Sequence, residues 1–136
     1  MNPERIKEIF VDFKKALERL QKALQEDIEH NAVAVDGAIQ RFEFTFELAW
    51  KLERAILSYN GIEVTNPRLI IKEAFGTGLL KDGNGWIEML EERNKTSHIY
   101  DEDMALGIYN KIKNNHYKLL EDLSQVADIF IKSNKF

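Results

Sequence analysis

The chain has no cysteine, which excludes disulfides, thiolate metal sites and cysteine nucleophiles. Proline occurs twice and glycine seven times in 136 residues, too few breakers for a loop-rich or low-complexity protein. Apolar runs are short: none approaches the roughly 20 residues of a membrane span. The opening Met1-Asn2-Pro3-Glu4-Arg5-Ile6 has no apolar signal region. A cytoplasmic protein without a membrane partner is therefore expected. Positive charge is in deficit, with 19 Lys and Arg against 23 Asp and Glu and a net charge of -4. That balance argues against nonspecific coating of nucleic acid, which needs a basic face, but leaves room for a local basic cleft. The three histidines form no His-x-x-x-His pair, so a zinc site is not expected and no metal or other cofactor is implied. Ser97 and His98 are adjacent and point apart, and no Gly-x-Ser-x-Gly elbow accompanies them, so a hydrolase dyad is excluded as well.

What the chain does have is helical periodicity. Asn2-Pro3-Glu4 reads as cap, first helical position and first-turn acid. Ile6, Phe10, Phe13, Leu17, Leu20 and Leu24 then follow in steps of four and three, with Lys14, Lys15, Glu18 and Lys22 on the other face. A loop is expected at Asp27–Asn31, then a second helix from about Val33 to Asn60, stopped by Gly61. That helix places Phe42, Phe46, Ala49 and Ile56 on one apolar flank and Phe44, Leu48, Leu52 and Ala55 on another, which marks it as central. Its polar stripe, Gln40, Glu43, Glu47, Lys51 and Arg54, is either a solvated seam with a Glu47–Lys51 pair or the lining of a cleft.

Asn66-Pro67 starts a third, short helix that is expected to bury Leu69, Ile70, Ala74 and Phe75 and to end at Gly76. Lys81–Gly85 reads as a loop, and a fourth helix begins near Trp86. Asp101-Glu102-Asp103 caps a last helix whose stripe, Ala105 to Phe130, runs unbroken and includes His116, expected as a packed, hydrogen-bonded residue. The expected fold is all-α: a single domain over residues 1–136, built as an antiparallel up-and-down bundle of about five helices.

Chemistry concentrates in Arg93-Asn94-Lys95-Thr96-Ser97-His98-Ile99-Tyr100, between the fourth and last helices. In an unbroken helix Arg93 and His98 would point about 140° apart. A break near Ser97, which the Asp101 cap favours, lets the imidazole turn back toward the guanidinium and Asn94. The set suits a phosphodiester: arginine offers a planar fork that keeps its charge, and histidine moves protons near neutral pH. Asn94, Thr96 and Ser97 can orient a substrate. Metal-free RNA cleavage needs both a base and an acid, which a two-fold dimer can supply. The same residues also fit a capped helix end in which Arg93 pairs with Glu43 or Glu47. Asp101, Glu102 and Asp103 after the motif, and Glu91 and Glu92 before it, weaken RNA binding unless Arg41, Lys95 or a second subunit offsets them.

Arg93 and His98 with four residues between them, the polar Asn94 and the following Tyr100 resemble the motif of the HEPN superfamily. Gln40–Lys51 and Ile71–Phe75 resemble its HepT-like subfamily, the nucleotidyltransferase substrate-binding proteins. The resemblance implies a homodimeric bundle with a motif-lined cleft and a small nucleotidyltransferase encoded by a neighbouring gene. It implies an endoribonuclease toxin with Arg93 and His98 as the catalytic positions; the residues themselves add Asn94, Ser97, Glu47 and Arg41 as supporting or substrate-binding candidates. It further implies neutralisation by AMP transfer to Tyr100. The alternative it carries is a non-catalytic subunit that binds a nucleotide or another substrate for the transferase.

Overall fold

Capping decides where the helices begin. In the computed structural model, which describes residues 2–136, the Asn2 side chain accepts from the Glu4 amide at 2.8 Å and starts α1 (Pro3–Leu24). Asn66 does the same for α3 (Pro67–Gly76), accepting from the Arg68 and Leu69 amides. Asp82 accepts from the Gly85 amide and starts α4 (Gly83–Lys95). The Lys81–Gly85 segment is thus not the loop its composition suggests. Asp82 satisfies the first-turn amides, and the glycines after it are already helical. A β-carbon on Gly83 would lie 2.9 Å from the Phe75 ring, so this helix start packs tightly against α3.

The long α2 (Val33–Tyr59) lies against α1, α3 and the later helices. It ends through Gly61 at φ +88°, a left-handed position that a β-carbon strains. Gly61→Ala is expected to cost about 1–2 kcal/mol, read as a lower urea midpoint with an unchanged slope. Thr45, buried in α2, donates to its own helix at the Arg41 carbonyl, 2.7 Å away, and reaches the Ala16 carbonyl of α1 at 3.3 Å.

The predicted periodicity of α1 is fully buried. Faces on α2 and α3 differ from expectation. Phe44 is 60% exposed, because α2 aims Phe42 and Phe46 inward and Phe44 lies about 200° from each. In α3 the buried residues are Ile70, Ile71 and Ala74, so the contact arc is centred on Ala74. At about 100° per residue that leaves Phe75 at its margin and Leu69 nearly opposite, each half-exposed.

The last rod also departs from the unbroken reading. It runs as α5 (Glu102–Lys111), one π-turn (Ile112–His116) and α6 (Tyr117–Ser133). The π-turn packs on α4, and α6 packs on α1. His116, at its end, stacks on Phe42 with ring centroids 5.6 Å apart and has no hydrogen-bond partner at either nitrogen. Trp86 of α4 packs on Phe46, so α4 is fixed to α2 from inside the bundle. The result is an all-α antiparallel bundle with one continuous core. No helix among the described residues is long and apolar enough to cross a membrane.

Candidate functional site

The motif lies where α4 unwinds. Thr96 Oγ1 donates to the Arg93 carbonyl at 2.7 Å, and Ser97 Oγ reaches the Asn94 carbonyl at 3.3 Å. Side chains thereby occupy the carbonyls that a continuing helix would use. Thr96–His98 form one 3₁₀ turn, Ile99 is extended at φ -90° and ψ 117°, and Asp101 caps α5 by accepting from the Met104 amide at 2.7 Å. The expected break is present and begins two residues earlier than Ser97, at Lys95. Ile99 packs against the core, which pins the link between two exposed neighbours, His98 and Tyr100.

His98 and Tyr100 are brought together. The Tyr100 hydroxyl lies 3.4 Å from His98 Nδ1, at the long end of hydrogen bonding, and Tyr100 is 80% exposed. Both border a hollow of about 500 Å³ between the end of α4 and α5, together with Lys95 and Lys111.

Arg93 faces elsewhere. Its Nη1 is 3.7 Å from Glu43 Oε2 and its Nη2 is 3.7 Å from Glu47 Oε1. Nη1 also approaches Thr96 Oγ1 at 3.4 Å, while Nε is buried without a partner. The polar stripe of α2 is therefore a seam to α4: Glu47 pairs with Arg93 rather than Lys51. Arg93 does not line the hollow that His98 borders. Asn94 and Ser97 are exposed and do not line it either. Arg41 is on a separate basic groove between α1 and α2, with Arg19 and Lys22.

The other histidines are committed. His30 Nδ1 is 2.6 Å from Asp27, which it holds below the ordinary carboxylate value. His116 is buried, and burial, with the nearby Lys111 charge, lowers its pKa to about 4. His98 is the histidine open to a ligand at the motif.

Sequence reasoning missed Glu92 and Lys111 as neighbours of the motif. The buried Glu92 carboxylate lies 3.9 Å from Lys111 Nζ across the helix break. Two residues on separate helices give no local signal, and Glu92 reads as one more exposed acid in Glu91-Glu92.

The motif's polar residues thus gather at the break between α4 and α5 of a helical bundle. Residues 8–127 match the family described as nucleotidyltransferase substrate binding protein like, and the chain belongs to this HepT-like family. It is 35% identical over 83 residues to "Probable ribonuclease HepT" of Haemophilus influenzae. That match spans 57% of this chain and 57% of the curated relative. The crystal structure of a Thermus thermophilus protein superposes with a TM-score of 0.77 at 34% identity, covering 85% of this chain and 98% of that one. A Haemophilus influenzae structure, described as revealing the fold of a substrate binding domain of a nucleotidyltransferase, shares the fold. Its TM-score is 0.67 at 24% identity, with 93% of this chain and 99% of that one covered.

Proposed function

We propose that the protein is a metal-independent endoribonuclease, the toxin of a pair with a small nucleotidyltransferase, and that AMP transfer to Tyr100 silences it. The observation that carries this reading is the break after Lys95. It exposes His98 and sets the Tyr100 hydroxyl 3.4 Å from His98 Nδ1, beside two lysines. In the cleavage step the RNA 2′-oxygen bonds to phosphorus as its proton passes to a base. The P–O5′ bond breaks, and the 5′-oxygen leaves with a proton from an acid, giving a 2′,3′-cyclic phosphate and a 5′-hydroxyl. His98 fills one of those roles and His98 of a second copy the other, so the active form is a homodimer.

The family resemblance assigns Arg93 to the developing charge on the phosphoryl oxygens. Arg93 faces the α2 carboxylates rather than the hollow, so that role requires its guanidinium to swing out toward His98. Its carboxylate contacts of 3.7 Å are longer than the roughly 2.7–2.9 Å of charge-assisted hydrogen bonds. They orient the guanidinium, whose Nη1 also approaches Thr96 Oγ1 and whose Nε is buried, so a phosphate has to displace these contacts. In the silencing step Tyr100 Oη bonds to the α-phosphorus of ATP, pyrophosphate leaves and the phenolic proton is released. The bulk and negative charge then stand beside His98.

A second reading is a non-catalytic subunit that binds nucleotide or another substrate for the transferase. The two carboxylates on Arg93 favour it, as does the description of the family. One assay separates the two: purified protein with RNA, with and without EDTA. Cleavage in EDTA that leaves cyclic phosphate ends is expected. Intact RNA together with a stable transferase complex would replace the nuclease reading with the second.

A further inference from the structure

We propose that the groove between the end of α1 and the start of α2 is a distal phosphate site, which holds the backbone of a single-stranded RNA away from the point of cleavage. This rests on the nuclease reading and adds how a chain of net charge -4 retains an RNA. The groove, about 330 Å³, has Arg19 and Lys22 on its α1 wall and Arg41 on its α2 wall. Glu26 is its lone carboxylate, and Asn31 adds an amide. Among the described residues Arg5, Arg68 and Arg93 each have a carboxylate partner. Of the arginines left, Arg19, Arg41 and Arg54, the first two line this one groove. Lys22 has a local reason to be there, since a cation in the last turn of α1 offsets the helix dipole. Arg19 and Arg41 lie inside their helices, where that reason does not apply.

The shape suits a nucleic-acid strand better than a protein. Ala23, Ala34 and Gly37 form the floor, and a β-carbon built on Gly37 meets nothing within 4 Å. Val33, 74% exposed, is the largest apolar side chain on the groove, so no pocket is present for an apolar anchor. Guanidinium groups, in contrast, match phosphate oxygens with a planar fork of donors. The walls are also fixed. Thr45, one turn past Arg41, donates to the Arg41 carbonyl at 2.7 Å and reaches the Ala16 carbonyl of α1 at 3.3 Å. The two helices are thereby tied together just inside the cations.

Position gives the groove its role. Val33 also borders the groove lined by Glu29, Asp36, Asp101 and Glu102, and Tyr100 borders both that groove and the hollow of His98. The basic groove is therefore at the motif end of the bundle, beyond a band of acids. Carboxylates repel phosphates but accept from base N–H groups, so a strand crossing the band turns its bases inward. Its phosphates are held again on the far side, by Arg19, Lys22 and Arg41. Such contacts set the position of a long strand without reading its sequence.

The test is fluorescence anisotropy with two labelled single-stranded RNAs, one long enough to span this end of the bundle and one short enough to cover only the motif. The full chain carries His98→Ala so that the RNA stays intact, and titrations are repeated at several salt concentrations. Arg19→Gln combined with Arg41→Gln is expected to weaken binding of the long strand about ten-fold near physiological salt, and to flatten the logarithmic salt slope by about 0.7 per cation removed. Binding of the short strand is expected to hold, and Glu26→Gln to tighten the long one. Both arginines are exposed, so the unfolding temperature should not move. Arg54→Gln removes a cation outside the groove and should leave both RNAs as they were. Unchanged long-strand binding by the double variant overturns the site. An equal loss for the short strand, or in Arg54→Gln, overturns it too, because the effect is then not distal or not of this groove. Saturable binding of polyglutamate through the same arginines, with no RNA bound, puts an acidic protein segment there and overturns the RNA assignment. Failure of the nuclease reading looks different: the groove binds RNA and the wild type cuts none. If RNA is cut and the double variant binds it like its parent, the groove is not the phosphate site and the nuclease reading stands.

Discussion

His98→Ala is expected to lower RNA cleavage by about 10²–10⁴-fold, the usual contribution of a general acid or base, with no change in unfolding temperature. The second half of that expectation follows from exposure. His98 lies outside the core, on a 3₁₀ turn held by Thr96 and Ser97, and its polar contact is the long one to Tyr100. Nothing in the bundle relies on the imidazole. Arg93 calls for a different substitution. Arg93→Ala would leave Glu43 and Glu47 facing each other without a cation, so a loss of activity would mix chemistry with packing. Arg93→Lys keeps the charge and removes the planar fork, and a fall in kcat with the fold intact is expected. In the dimeric mechanism, mixed dimers of His98→Ala with wild type should fall well below half of wild-type activity, since each cleft then lacks one proton-transfer partner. Full cleavage by His98→Ala homodimers would remove His98 from the mechanism.

The parts of this molecule legible in the sequence are those fixed locally. Asn2-Pro3 and Asn66-Pro67 start helices because one side-chain oxygen and one ring set the first turn. Asp101 announces the break for the same reason. The Arg93–Tyr100 motif is likewise contiguous. What required the structure was set between elements. Phe44, Leu69 and Phe75 are apolar, yet which arc of a helix is buried depends on where its neighbour sits. The π-turn is hidden in the sequence because Ile112 and His116 keep a step of four. It nevertheless moves the buried stripe of α6 by one residue, to Leu120, Ala127 and Ile131 beside Leu123, leaving Leu119, Val126 and Phe130 half-buried. Arg93 and His98 belong to one motif but face different surroundings, α2 carboxylates and the hollow. The Lys111–Glu92 contact that closes the hollow joins α5 to α4 and has no sequence signature.

The second large effect concerns two core residues the chemistry does not use. The stability that Glu53 contributes is expected to fall as pH rises from about 4.5, and Glu53→Gln to remove that fall. Glu53 is fully buried in α2 with no partner for either oxygen, and burial pushes its pKa well above the ordinary 4.5. The folded state therefore holds a proton that the unfolded chain has released, and stability declines from about pH 4.5 upward. His116 acts in the opposite sense. Burial first, and the Lys111 charge second, lower its pKa from 6.5 to about 4, so the unfolded chain binds the extra proton. Stability on its account is lost as pH falls through 6.5 toward 4, by about 3 kcal/mol in all. Above about pH 4.5 the two slopes oppose each other, so wild-type stability should rise less with pH than that of Glu53→Gln. Urea denaturation across pH resolves the two. Glu53→Gln should restore a rising limb from pH 4 to 6.5 followed by a plateau. Glu53→Met, which also removes the unpaired polar atoms, should add about 1–3 kcal/mol near neutrality. His116→Phe, whose ring can keep the stack on Phe42, should leave only the decline due to Glu53. An unchanged pH profile in Glu53→Gln would mean that the carboxyl reaches water or a partner in solution, and in His116→Phe the same would hold for the imidazole at the π-turn.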